Sequence, residues 1–308
     1  MTVLVALAAC TSAPAPASSS PPAPTSAAST TPPAPTSAAS TTPLTAPGRA
    51  AHLLDALIAA AGSAHAIKAE FTASDATLTV VIGQKAETWA WRDGRVRGTE
   101  PDVDFVGQAI FDPRDFALAD LGDLFARAAR VAGSDQHQQL HVLEYSNGRV
   151  YLSVTTNPES QPVFFRPDGS LVDRLDFTTT AGLRQGLADV TARHPAVFSV
   201  GLDSASGGLY ALSPGPTGVV ESLRMAQLPA RDAPTTKTID GLTVFDPGLI
   251  DPQAIAAVLA QLPELTGQAE PDVTWRVERR EPVTPPRLYL QAAGHAIEAT
   301  LNGVIVVR

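Results

Sequence analysis

Two stretches of this chain, IFDPRDFALADLGDLFARAARVAG (residues 110–133) and VFDPGLIDPQAIAAVLAQLPELTG (residues 244–267), are related by a constant offset of 134. Phe111, Asp112, Pro113 and Gly133 recur as Phe245, Asp246, Pro247 and Gly267. Between them, Leu121, Leu124, Phe125, Ala128 and Val131 fall on Ile255, Val258, Leu259, Leu262 and Leu265. That spacing lays one apolar stripe along a helix. A chain that repeats itself must solve one packing problem twice, which removes most architectures from consideration.

The relation continues downstream. Arg149-Val150-Tyr151-Leu152 aligns with Arg287-Leu288-Tyr289-Leu290 after a four-residue insertion, and Asp168-Gly169-Ser170-Leu171-Val172 with Asn302-Gly303-Val304-Ile305-Val306. Asp-Gly and Asn-Gly are hairpin turns. Upstream, a helical segment (52–61 and 183–193) precedes a strand-like run (77–82 and 209–213) in each unit. One helix period followed by alternating runs predicts an α+β fold: two tandem copies of an antiparallel sheet with helices packed on one face. The expected boundaries are residues 50–180 for the first repeat and 181–308 for the second. Asp-Pro at Asp112 and Asp251 reads as turn or capping chemistry at element boundaries.

Composition sets limits on partners. The net charge of -9 is spread along the chain, which excludes the concentrated basic surface that nucleic acid requires. Nineteen arginines against three lysines, with abundant Ala and Pro, is the bias of a GC-rich bacterial coding sequence. The 44% hydrophobic content supports a folded body.

Ahead of that body, residues 21–31 and 32–42 are identical copies of PPAPTSAASTT. A Pro, Ala, Ser and Thr tract has too little apolar surface to offset its chain entropy, so residues 11–49 are expected to form a disordered linker. Extended, the stretch from Thr11 to Gly48 reaches roughly 100 Å at about 3.1 Å per residue. Dense Ser and Thr with Pro is also the composition of O-glycosylated stalks.

Cys10 is the single cysteine, so it forms no intramolecular disulfide and no Cys-His zinc cluster. It stands beside a low-complexity tract that cannot build the electropositive pocket of a reactive thiol. The run Leu7-Ala8-Ala9-Cys10 resembles the lipobox of bacterial lipoproteins of the actinobacterial type. The resemblance implies a signal peptide over residues 1–9, cleavage before Cys10 and a diacylglycerol group on its thiol. Met1-Thr2 lacks the basic opening of a signal peptide, so the start is expected upstream. The implied location is the extracytoplasmic face of the cell membrane, the membrane itself being the first partner.

Two further resemblances concern the body. A helix and strands closing on a DG or NG turn resemble the small extracytoplasmic modules of the PepSY-like group, which implies binding and regulation without catalysis. Residues 60–82, a helix end running into a strand, are similar to the opening of mycobacterial lipid-carrier lipoproteins, which implies an apolar cavity for an acyl lipid.

Chemistry-bearing motifs are sparse. His137 and His141 have i, i+4 spacing but straddle a turn and a strand start, so no metal site is expected there. Gly62-Ser63-Ala64-His65 lacks the setting of a nucleophile elbow and reads as a helix C-cap. Glu100, Asp102 and Asp104 lack the glycine and closing glutamate of a calcium loop. Trp89 and Trp91 share one face of a strand. They form either a ligand-gripping surface or the buried side of the sheet, with aromatic content of only 6% favouring the core. The expectation is therefore a membrane-anchored, non-catalytic binding module without cofactor, whose partner is an envelope protein, glycan or lipid. A lipid carrier stands second and an envelope hydrolase third.

Overall fold

A computed structural model describes residues 42–157, 161–281 and 285–307. The predicted signal peptide, Cys10 and residues 11–41 lie outside the described residues. The first half runs α1 (Arg49–Ala61), β1 (Ala66–Phe71), β2 (Ala76–Ile82), β3 (Lys85–Arg92), β4 (Arg95–Thr99), α2 (Leu121–Ala132), β5 (Gln136–Ser146), β6 (Arg149–Asn157) and β7 (Val163–Phe165). The second runs α3 (Thr180–Thr191), β8 (Ser199–Asp203), β9 (Gly208–Gly215), β10 (Gly218–Met225), β11 (Arg231–Thr235), β12 (Leu242–Thr243), α4 (Pro252–Leu259), α5 (Leu262–Thr266), β13 (Val273–Arg280), β14 (Arg287–Ala292), β15 (His295–Thr300) and β16 (Ile305–Val307).

The fold is α+β, with two tandem antiparallel sheets carrying helices on one face. Strand order is β4-β3-β2-β1-β5-β6-β7 in the first and β11-β10-β9-β8-β13-β14-β15-β16 in the second, with β12 alongside β13. The two orders correspond strand for strand. Where β15 pairs with β16, the first sheet has a bridge between Phe165 and Leu171. Phe111 bridges to Ala66 as Phe245 bridges to Val197. Asp112 and Asp246 each cap a 3-10 turn, accepting from the backbone N–H of Arg114 at 3.0 Å and of Gly248 at 2.8 Å. Gly169 and Gly303 take φ of 81° and 82°, the left-handed conformation that their tight turns require.

Burial follows the stripes. Leu121, Leu124, Phe125 and Ala128 of α2 and Ile255, Val258 and Leu259 of α4 are buried, each set against its own sheet's apolar cluster. Each half therefore fills its own space between sheet and helices.

The structure differs from expectation in three places. Folded chain begins earlier than residue 50: Leu44 is fully buried in the first core and its N–H donates to Ala73 O at 2.9 Å. It is the first large aliphatic side chain after the spacer, and the core takes it. The helix expected along the stripe from Ile255 to Leu265 is divided into α4 and α5, with Pro263 in the first turn of α5. Proline has no N–H to continue the ladder, and its ring clashes with the preceding turn.

The third difference is register. Val142 pairs with Leu152 as Val277 pairs with Leu288, and Leu152 with Phe165 as Leu288 with Ala299. Tyr151 therefore corresponds to Arg287 and Ser153 to Tyr289, two residues away from the alignment read from the sequence. Face parity survives a slip of two, which is why the sequence match looks sound. His141 corresponds to Arg276, because Glu70 pairs with His141 as Gly201 pairs with Arg276.

Candidate binding face

Among the described residues, no helix packs on the outer side of either sheet, and the outer residues of β13, β14 and β15 align in rows. Arg276 pairs with Tyr289 and Tyr289 with Glu298; on one side lie Thr274, Gln291 and Ala296, on the other Glu278, Arg287 and Thr300. Directly opposed side chains on one face are about 4.5–5.5 Å apart at Cβ. Alternation sends Trp275, Val277, Leu288, Leu290 and Ile297 inward, all buried.

Glu278 is buried and organises one end of this face. Its carboxylate accepts from Arg280 at 2.6 Å and from Ser199 at 3.4 Å, with Arg276 Nε 3.2 Å away. The Arg280 guanidinium lies 5.2 Å from the Tyr289 ring centroid, a cation–π arrangement. Burial raises the Tyr289 hydroxyl above its usual range, keeping it a neutral donor. Beside these groups a hollow of about 190 Å³ opens among Thr274, Arg276, Tyr289, Gln291, Ala296 and Glu298.

The first sheet's outer face carries different chemistry. Glu70 accepts from Lys68 at 3.0 Å, Thr77 at 3.0 Å and Gln139 at 3.3 Å, and pairs with His141 Nδ1 at 2.9 Å. The hydrogen bond from His141, followed by that from Lys68, outweighs burial and lowers the Glu70 carboxyl to about 2. Lys68 also meets Asp102 at 2.5 Å. Both carboxylate oxygens of Glu70 are thus engaged within the protein.

A third polar assembly joins the halves. Asp232 accepts from Arg149 Nε at 2.9 Å, Arg193 Nη1 at 3.4 Å and Ser222 Oγ at 2.6 Å. Asp189 Oδ2 accepts from Arg224 Nε at 3.0 Å and Arg166 Nη2 at 3.4 Å. Arg224 is fully buried and reaches Asp173 O at 2.8 Å. Burial pushes the Asp232 carboxyl up, but its bonds from Arg149 and Ser222 hold it below the usual range. His194 Nε2 lies 3.0 Å from Ser222 Oγ. Serine, histidine and aspartate meet here in the wrong order for nucleophile activation: Ser222 is fully buried and its hydroxyl hydrogen is given to Asp232.

The residues singled out from the sequence are distributed as follows. Trp91 is buried and Trp89 half-buried, both packed into the first core on the face under α1. The hairpin registers place Ser222 and Arg224 at the positions of Trp89 and Trp91, since Ile82 pairs with Lys85 as Gly215 pairs with Gly218. Val219 and Val220 sit nearer the hairpin turn. His137 lines a cleft of about 890 Å³ between α2 and the β1–β2 turn, whereas His141 is bound to Glu70. Among the described residues, no group of three or more His, Cys, Asp or Glu is placed to hold a metal ion. Asp102 is engaged by Lys68, and Gly62 ends α1 in the left-handed conformation with its N–H on Ile58 O. Arg149, Asp189, Arg224, Asp232 and the Arg276 row were not singled out from the sequence. A charged residue at a position where the repeat demands an inward apolar one is the signal that marks Arg224.

No family model matches the chain, and no curated protein matches it. Among solved structures, the Helicobacter pylori β clamp bound to a DNA ligase peptide aligns over 82% of this chain with 10% identity and a TM-score of 0.16. The DNA polymerase III subunit beta from Pseudomonas aeruginosa aligns over 82% with 12% identity and a TM-score of 0.15. The chain spans 64% of the length of each. At these scores the likeness establishes neither fold nor function.

Proposed function

We propose that this chain is a lipoprotein held through Cys10 on the extracytoplasmic face of the cell membrane, with a spacer over residues 11–41 and a non-catalytic, two-sheet binding body. The observation that carries the binding reading is the division of labour between faces. Both helix-covered interiors are filled by close-packed apolar side chains, while the outer faces, which carry no helix among the described residues, are set with ordered charged and aromatic rows. A lipid carrier needs an apolar chamber of several hundred Å³ between sheet and helices. Leu78, Phe71 and Trp91 in the first half, and Trp275, Val258 and Leu288 in the second, occupy that space.

Two measurements test the reading. Cys10→Ser protein is expected to leave the membrane fraction, and retention at the wild-type level removes the anchor. Native mass spectrometry after gentle extraction separates the classes: a copurifying acyl lipid supports the carrier, whereas a bare chain or one bearing a glycan or protein supports the binding body.

A further inference from the structure

We propose that the Arg276, Tyr289 and Glu298 row of the second sheet binds a carboxylate-bearing sugar, of the hexuronic acid type, within an acidic glycan. This rests on the binding-module reading and adds the ligand class.

Shape is the first argument. The row crosses three strands with the Tyr289 ring at its centre, and beside the ring Ala296 and Gln291 stand where larger side chains would close the hollow. About 190 Å³ is the scale of one sugar ring rather than of an acyl chain or a folded partner. An aromatic ring on an open face meets the C–H side of a pyranose, and convergent polar groups fix its hydroxyls.

Charge is the second argument. Arg276, Arg280 and Arg287 bring three guanidiniums to this face against the carboxylates of Glu278 and Glu298, with Asp272 at its edge beside Thr274 and Gln291. Glu278 is already committed to Arg280. The Nε atoms of Arg276 and Arg287 are buried, the first 3.2 Å from Glu278 and the second 3.9 Å from Glu298, so the donors offered to a ligand are the terminal Nη groups. Terminal guanidinium donors match a carboxylate, and Glu298, whose Oε1 lies 3.9 Å from Arg287 Nε, can also accept from vicinal hydroxyls.

The two copies supply a third argument by difference. The equivalent row of the first sheet is His141, Ser153 and Phe164, with no guanidinium and no carboxylate flanking an aromatic centre. One site per chain is therefore expected.

Isothermal titration calorimetry of the full chain with trigalacturonate, and with maltotriose as its neutral counterpart, tests the proposal. Trigalacturonate is expected to bind with one site per chain and to weaken as salt rises, and maltotriose to bind at least tenfold more weakly. Arg276→Gln and Tyr289→Ala are each expected to lower trigalacturonate affinity at least tenfold with little change in melting temperature, since both side chains are partly exposed. Arg92→Gln, on the other sheet, is expected to leave it unchanged. No heat at millimolar trigalacturonate, equal affinity for maltotriose, or undiminished binding by Arg276→Gln overturns the proposal. Failure here with a different glycan or protein copurifying leaves the binding body standing. Uronate binding by a chain whose Cys10→Ser variant stays in membranes removes the anchor and keeps the site.

Discussion

At the scale of single residues, burial decides what a side chain is for. Trp91 is 7% exposed within the first core, so Trp91→Ala is expected to cost about 3–5 kcal/mol in urea melts. Trp89→Ala costs less, because part of that ring already meets water. Equal, near-zero losses for both would place the pair on an open face instead. Glu70 gives a pH signature. Its folded carboxyl is lowered from 4.5 to about 2, first by the His141 hydrogen bond. The unfolded chain therefore binds the proton first: the contribution is complete above about 4.5 and disappears as pH falls to about 2. Glu70→Gln is expected to flatten the stability profile in that window, measured by denaturant melts at stepped pH. The tryptophan assignment was open to sequence reasoning through strand alternation. Glu70 was not, because its partners Lys68, His141 and Asp102 converge from three different segments, a placement that periodicity does not encode.

Elements were more legible than residues. The stripes of α2 and α4, the Asp-Gly and Asn-Gly turns and the capping aspartates each carry a local physical signature, and each forms where its signature lies. Register was not legible, because a slip of two keeps every side chain on its own face and costs the sequence pattern nothing. The division of α4 from α5 was written in Pro263, yet the apolar stripe running past it argued for continuity. Capping offers a test at this scale. Asp120 Oδ1 accepts from the Asp123 N–H at 2.9 Å at the start of α2. Asp120→Ala is expected to lower stability by about 1 kcal/mol while leaving trigalacturonate affinity intact. Lost affinity would mean that α2 and the outer face of the second sheet are coupled.

At the scale of the whole molecule, the two sheets solve one packing problem with different outcomes at corresponding positions. The first sheet places Trp89, Trp91 and Gly98 where the second places Ser222, Arg224 and Asp232. In the first half α1 closes this end with apolar contacts. In the second, α3 packs over the corresponding strands and the first half docks beside it, Arg149 and Arg166 arriving as counter-charges for Asp232 and, on α3, Asp189. A junction built of buried ions is weak as a source of stability, since desolvation offsets much of the attraction, but breaking one member leaves a bare buried charge. Asp232→Leu strands Arg149, which is 8% exposed, and is expected to cost about 3–5 kcal/mol. Arg149→Met combined with Asp232→Leu removes both charges and is expected to recover more than half of that loss. Calorimetry adds the decisive readout, because each half has its own apolar core and so can in principle melt alone. The parent is expected to unfold in one transition, and Asp232→Leu in two, the second half melting first because Ser222, fully buried there, loses its carboxylate acceptor. A single transition in Asp232→Leu with unchanged midpoint would show that apolar contacts, not the ion cluster, hold the halves together.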